Sequence, residues 1–250
     1  MDGWWHAAVE LVLPVDCAGC GRPRSLLCAR CEAVLLAPGA RRAVVTDAPR
    51  GLPPVHAAAE YRGPVRAVLL AHKERGATGL ARPLGRALAA AVRAAAACRA
   101  AAGPAGERPP GGSSAGLVLV PVPSARRAVR ARGHDPARRI AAAAAARLRG
   151  TGTEACVLPV LRQARRVADQ AGLTASERLA NMSGALEVRR GAEGLCAGRR
   201  VVLVDDLVTT GATLAEAARA LGAASADGPG FPPFEHVSAA VVAWTAPPWK

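Results

Sequence analysis

Three stretches of the chain carry apolar residues at nearly every position: Leu117–Val120, Val201–Val204 and Val237–Ala243. Uninterrupted apolar runs of this length predict strands buried on both faces, as in a parallel sheet. Val55–Tyr61 reads as a further strand, and Val157–Leu161 as a short one. Between these runs the pattern lengthens to a helical period. Helices are expected over Trp4–Leu13, Val65–His72, Thr78–Ala102, Pro136–Arg149, Ala175–Asn181 and Leu214–Leu221. Local signals support several of these limits. Gly63-Pro64 turns the first strand into its helix, and Gly76 is placed to cap that helix at its end. Pro136 suits a first helical turn, and Thr174 with Glu177 fits a capping box.

Ala33–Pro54, Gly103–Gly116 and Ala223–Glu235, rich in Gly, Pro, Ala or Arg, read as connections, and Ser124–Asp135 as a very basic loop. Strands alternating with helices predict an α/β domain with a mainly parallel sheet flanked by helices. Ligands of such sheets sit at the carboxyl ends of the strands. The loops at Asp205-Asp206, at Lys73 and at Ser124–Asp135 are therefore candidate walls of one crevice.

With 250 residues, 51% of them hydrophobic, the chain can bury one medium core plus a small appendage. No apolar run approaches the roughly 20 residues needed to span a bilayer, and Met1–His6 lacks a basic leader region. A cytoplasmic protein without membrane insertion is expected. Lys and Arg number 33 against 19 Asp and Glu, a net charge of +14, and the only lysines are Lys73 and Lys250. Such basicity attracts polyphosphates or nucleic acid. The chain has few aromatic residues, however, and so lacks the stacking platforms typical of single-strand binders. The alanine runs, such as Ala141–Ala146, read as compositional bias.

Candidate chemistry concentrates in Val201–Leu214. An apolar strand is followed by Asp205 and Asp206, then by Thr209-Thr210-Gly211-Ala212-Thr213, then by a helix. Hydroxyls, backbone N–H groups and a helix N-terminus make an anion site suited to phosphate. Adjacent carboxylates can accept hydrogen bonds from vicinal hydroxyls. Phosphate beside a diol describes a ribose 5-phosphate; the plain alternative is an ordinary strand–turn–helix corner.

Four of the seven cysteines form two C-x-x-C pairs, Cys17/Cys20 and Cys28/Cys31, while Cys98, Cys156 and Cys196 stand alone and read as small buried hydrophobes. Two such turns supply the four thiolates of a tetrahedral structural Zn²⁺ site. The N-terminal helix and this knuckle (residues 1–40) would precede the main domain (55–250).

Val201–Thr213 resembles the 5-phosphoribosyl-1-pyrophosphate (PRPP) motif of type I phosphoribosyltransferases. The order of further pieces resembles the ComF family, over nearly the whole chain. Those pieces are the four cysteines, Tyr61–Arg66, His72–Gly76, Val120–Pro123, Arg132-Gly133, and Gln170 with Leu173, Glu177, Arg178 and Asn181. Two departures stand out: His134-Asp135-Pro136 where that family has Phe-Asn-Gln, and Val167 where it often has Thr. The resemblance implies a type I phosphoribosyltransferase-like fold. It implies PRPP contacts from Asp205, Asp206, Val208, Thr209, Thr210, Gly211, Ala212 and Thr213, and Mg²⁺ bound with PRPP. Lys73, Arg75 and Gly76 would hold pyrophosphate, and Arg127, Arg130 and Arg132 would form a flap.

His134 is a conceivable acid or base, although a surface position is expected for it. No residue declares itself catalytic for a particular acceptor. Two functions fit the resemblance. One is phosphoribosyl transfer to an unidentified acceptor. The other is a non-catalytic DNA-uptake role, binding PRPP or nucleotide, single-stranded DNA and a helicase-type partner.

Overall fold

The structure is a computed structural model that describes residues 16–36, 39–102, 116–167, 172–192, 195–196, 199–226 and 237–246. The expected helix at Trp4–Leu13, Gln170 and nearly all of the Gly103–Gly116 connection lie outside the described residues.

The apolar runs form the centre of a six-stranded sheet. The strands are β1 (Arg41–Arg42), β2 (Val55–Glu60), β3 (Leu117–Pro121), β4 (Ala155–Val157), β7 (Arg200–Val208) and β8 (Ser238–Trp244), in the order β1-β2-β8-β7-β3-β4. All neighbours are parallel except β1, which pairs antiparallel with β2 at one edge. A separate antiparallel pair joins β5 (Leu161–Gln163) to β6 (Leu186–Val188).

Side-chain parity sorts each run between two cores. Leu117, Leu119, Val202, Val204, Ala240 and Val242 face one side. There they meet helices α2 (Gly63–Glu74), α3 (Ala81–Ala102) and α5 (Pro136–Arg149). Val118, Val120, Val201, Leu203, Ala239 and Val241 face the other side, against α7 (Ala212–Ala226), Leu161 of β5 and Leu186 of β6. Because both faces are covered, the strands read as unbroken apolar runs.

The alanine run in α5 has a packing role. Ala141, Ala144 and Ala145 are buried, and a Cβ added at Gly85 of α3 would lie 2.5 Å from the Ala143 Cβ. Small residues on both helices thus permit a close crossing. The second face is fastened by Glu216 of α7. Its buried carboxylate accepts the Leu186 N–H at 3.0 Å and the Arg219 guanidinium at 2.7 Å.

Several expectations are corrected. The basic segment Ser124–Asp135 is not simply a loop: Arg126–Arg132 forms helix α4, closed by Gly133 at φ +73°. Its Ala and Arg residues are good helix formers, whatever their charge. The single strand expected at Val157–Leu161 divides into the ends of β4 and β5. Within the expected connection Ala33–Pro54 lie the end of helix α1 (Ala29–Leu36) and all of β1. Ala223–Ala226 continue α7, and residues 227–236 lie outside the described set. Cys98 is exposed rather than buried, and Cys156 is only partly buried; Cys196 is buried as expected. Short helix α6 (Ala175–Met182) carries the full reciprocal capping box of Thr174 and Glu177.

The topology singles out one crevice. The crossover after β3 runs through α5 outward to β4, whereas the crossover after β7 runs through α7 the other way, to β8. The carboxyl ends of β3 and β7 thus flank the topological switch point, where open parallel sheets bind ligands.

Candidate functional site

Strand β7 runs past Val204 to Val208, so Asp205 and Asp206 are in-register strand residues rather than the start of a loop. Successive strand residues point to opposite faces. Their Cα–Cβ bonds therefore diverge, but the two carboxylates still lie close enough to interact with each other and with Lys73. Asp206 faces α2, where its Oδ2 lies 3.0 Å from Lys73 Nζ. Asp205 folds back, its Oδ1 accepting the Asp206 N–H at 2.8 Å. Burial, with the neighbouring Asp206 charge, pushes the Asp205 carboxyl well above the usual carboxylate range. The Asp206 carboxylate in turn raises the Lys73 ammonium above its ordinary value. Lys73 is therefore ion-paired, not merely a solvated charge at a helix end.

Beyond β7, Thr209 and Thr210 are half-buried and Gly211 turns the chain at φ +77°. The left-handed backbone favours glycine there, and an added Cβ would also press on the Leu52 methyl groups, the nearer at 2.8 Å. Helix α7 begins at Ala212, whose N–H reaches Thr210 Oγ1 at 3.5 Å. Thr213 lies in the first turn, where backbone N–H groups have no intrahelical partner. From α6, Arg178 Nη1 donates to Thr209 Oγ1 at 3.2 Å. Arg178 therefore fastens α6 to the threonine-rich turn.

Lys73 stands in the last turn of α2, Arg75 caps the helix and Gly76 leaves it at φ +69°, as the sequence indicated. The three arginines expected to act together diverge. Arg132 turns to Glu74, with Nη1 at 3.1 Å from Oε1. Arg130 lines a pocket on the opposite side of α4, and Arg127 is exposed without entering that lining.

His134 is buried, against the surface position expected for it. Its Nε2 lies 3.2 Å from the His72 carbonyl oxygen and its Nδ1 3.1 Å from that of Arg132. Its ring meets that of buried His72 edge-on at 5.7 Å between centroids. His134 thus sits between the end of α4 and the end of α2, with one carbonyl oxygen near each ring nitrogen. Burial lowers the His72 pKa.

The sequence reading missed four contacts that shape the site: Lys73 with Asp206, Arg178 with Thr209, Arg132 with Glu74, and Leu52 with Gly211. Lys73, Asp206, Thr209, Gly211, Arg132 and Arg178 each carried a sequence signal, but their pairings did not, and Leu52 carried none.

At the amino-terminal end, the sulfurs of Cys17, Cys20, Cys28 and Cys31 all lie within 4.8 Å of one another, and those of Cys20 and Cys28 are 3.7 Å apart. A tetrahedral zinc ion with Zn–S bonds of about 2.3 Å holds its sulfurs about 3.8 Å apart. The Cys20–Cys28 pair already has that spacing, and the other sulfurs would draw in by at most about 1 Å to close around such an ion. The Cys28 N–H donates to Cys17 Sγ at 3.3 Å. Burial alone would raise the Cys17 thiol, but backbone N–H donors, that of Cys28 foremost, outweigh it and bring it down to about 6. A thiolate is the ligating form. The cluster abuts α2: a Cβ at Gly19 would meet Cys31 Sγ at 2.8 Å and Pro64 Cβ at 3.2 Å. Glu32 of α1 pairs with Arg86 of α3 at 2.6 Å.

Among the described residues, no helix is long and apolar enough to cross a membrane. Residues 134–243 match the family model described as the phosphoribosyl transferase domain, a span that runs from the start of α5 to the end of β8. No curated protein matches the chain. The chain thus carries a domain of phosphoribosyltransferase type behind a four-cysteine cluster able to hold a metal such as zinc.

Proposed function

We propose that the protein binds PRPP in the crevice at the carboxyl ends of β3 and β7 and transfers its phosphoribosyl group to an acceptor. The observation that carries this reading is the turn Thr209–Thr213 at the start of α7, directly after Asp205-Asp206, inside the matched domain. In this reading the turn from Val208 to Thr213 holds the 5-phosphate with backbone N–H groups and threonine hydroxyls. Asp205 and Asp206 accept hydrogen bonds from the ribose hydroxyls. Lys73, Arg75 and the open backbone at Gly76 face the pyrophosphate. Lys73 has a second task in holding Asp206, so its charge is shared between the two.

Transfer of this kind is mainly a matter of positioning and of stabilising charge as pyrophosphate departs. Mg²⁺ bound with PRPP would neutralise the leaving group, using few protein ligands. Residues 55–250 would form the transferase domain. The four cysteines, within residues 1–40, would hold structural zinc that braces α2, the helix bearing Lys73. Pyrophosphate release from PRPP, assayed with a panel of nucleobases and small amines, tests the transfer. Release stimulated by one acceptor supports it, and none with any acceptor removes the catalytic claim.

The ComF resemblance supports a second reading, a cytoplasmic DNA-uptake protein that binds PRPP or nucleotide without turnover and engages single-stranded DNA and a helicase-type partner. What favours it is the net charge of +14 together with the exposed arginines of α4. It predicts steeply salt-dependent binding of single-stranded DNA that weakens when Arg127 and Arg130 are neutralised.

A further inference from the structure

A second compartment lies beside the crevice and shares no lining residue with the Lys73–Asp206 pair or the threonine turn. Its volume is about 250 Å³, and Ser124, Arg126, Arg130, Arg162, Gln163 and Arg189 line it. Small-molecule pockets usually hold about 300–1,000 Å³, so this one suits a single group or small ring rather than a whole nucleotide. Three elements build it. The chain leaving β3 supplies Ser124, helix α4 supplies Arg126 and Arg130, and the β5–β6 pair supplies Arg162 and Gln163, with Arg189 next to it. Arg126, Val129 and Arg130 fall at i, i+3 and i+4, so one face of α4 is turned to the pocket.

The charges in this compartment do not cancel. Arg162 is matched by Glu187 at 2.6 Å. The Nε of Arg189 donates to the Pro159 carbonyl at 3.0 Å, which leaves the rest of its guanidinium available. Among the described residues, no carboxylate lies within ion-pair reach of Arg126, Arg130 or Arg189. The one acidic residue in the lining is Asp135, whose Oδ1 caps α5 through the Arg138 N–H at 3.2 Å and faces Ser124 Oγ at 3.4 Å. Three unmatched cations against one carboxylate leave about two positive charges. A phosphomonoester carries about −1.5 to −2 near neutral pH, and guanidinium forks match its oxygens in pairs.

We infer that this compartment is a phosphomonoester-binding site, distinct from the ribose-phosphate crevice, and that it holds the phosphate of a phosphorylated acceptor. The acceptor role rests on the phosphoribosyl-transfer reading; the anion site does not. The compartment opens at the carboxyl end of β3, whose extension bonds β7 through Val122 N–H and Val204 O at 2.9 Å, directly before Asp205. A group anchored by the arginines would thus approach the crevice from the β3 side.

Titration calorimetry of the full chain with phenyl phosphate tests the inference. Saturable binding is expected, at least about tenfold tighter than that of dimethyl phosphate, whose single charge mimics a nucleic-acid backbone. Equal binding of the diester overturns the inference in favour of nucleic acid. The R126A/R189A variant should lose about tenfold or more in phenyl phosphate affinity, the scale of one lost charge-assisted contact. R126A alone, on an exposed helix, should show a smaller loss and guards against misfolding of the double variant. Unchanged affinity in both variants overturns the inference. Presaturation with PRPP and Mg²⁺ should leave phenyl phosphate binding in place. Its displacement would assign the arginines to the pyrophosphate of PRPP and overturn the inference. Phenyl phosphate binding in a chain that binds no PRPP would uphold the anion site and refute only the transfer reading.

Discussion

Lys73 Nζ lies 3.0 Å from Asp206 Oδ2, joining the last turn of α2 to the central strand of the sheet. Asp206 is buried, while the Lys73 side chain remains 39% exposed. Water therefore screens one partner but not the other, and the pair should fall between surface and buried ion pairs in strength. A double-mutant cycle with Lys73→Ala and Asp206→Asn should give a coupling of about 1–2 kcal/mol. Lys73→Ala alone should be the more harmful single change, because it strands a buried carboxylate. Thermal unfolding at neutral pH checks both statements.

The raised Asp205 pKa gives a pH dependence of known sign. A carboxyl whose folded pKa lies above its unfolded value contributes stability that is complete below the ordinary value, near 4, and lost as pH rises through the raised one. Asp205→Asn removes that loss. Without ligand, the variant should melt above the wild type at pH 8, and the difference should vanish toward pH 4. A difference that grows on acidification would mean that Asp205 is stabilised as the anion.

Gly211 combines a left-handed backbone with a Leu52 side chain at 2.8 Å from its virtual Cβ. Gly211→Ala should cost about 1–2 kcal/mol for the backbone alone, and more for the collision. Adding Leu52→Ala should restore the collision part and leave the backbone part. Melting curves of the single and double variants separate the two.

The four cysteines predict one zinc per chain, released by chelation with a fall in melting temperature. Metal analysis of freshly purified protein checks the stoichiometry, and a value of zero contradicts the structural-zinc assignment.

The central strands were legible because burial on both faces writes an uninterrupted apolar run. Their helices were legible from the caps at Gly76, Pro136 and Thr174. Helix α4 was read as a loop because its arginines signal charge more loudly than its alanines signal helix. Strands β5 and β6, three residues each, are too short to express a period. The position of His134 was not legible because carbonyl oxygens contributed by α2 and α4 set it. The Asp205-Asp206 pair was found, but its geometry was not. An apolar run shows that a strand exists, not how far it extends, and β7 continues through both aspartates to Val208. The link from Asp206 to Lys73 joins segments far apart in the chain, and no local pattern announces it.

The claim on which the rest depends is that the turn after β7 holds a ribose phosphate. Titration calorimetry of the full chain with PRPP and Mg²⁺, run beside the Asp205→Ala/Asp206→Ala variant, addresses it most directly. A saturable heat in the wild type that disappears in the folded variant is the expected result. A folded wild-type protein that gives no heat above dilution would contradict the account.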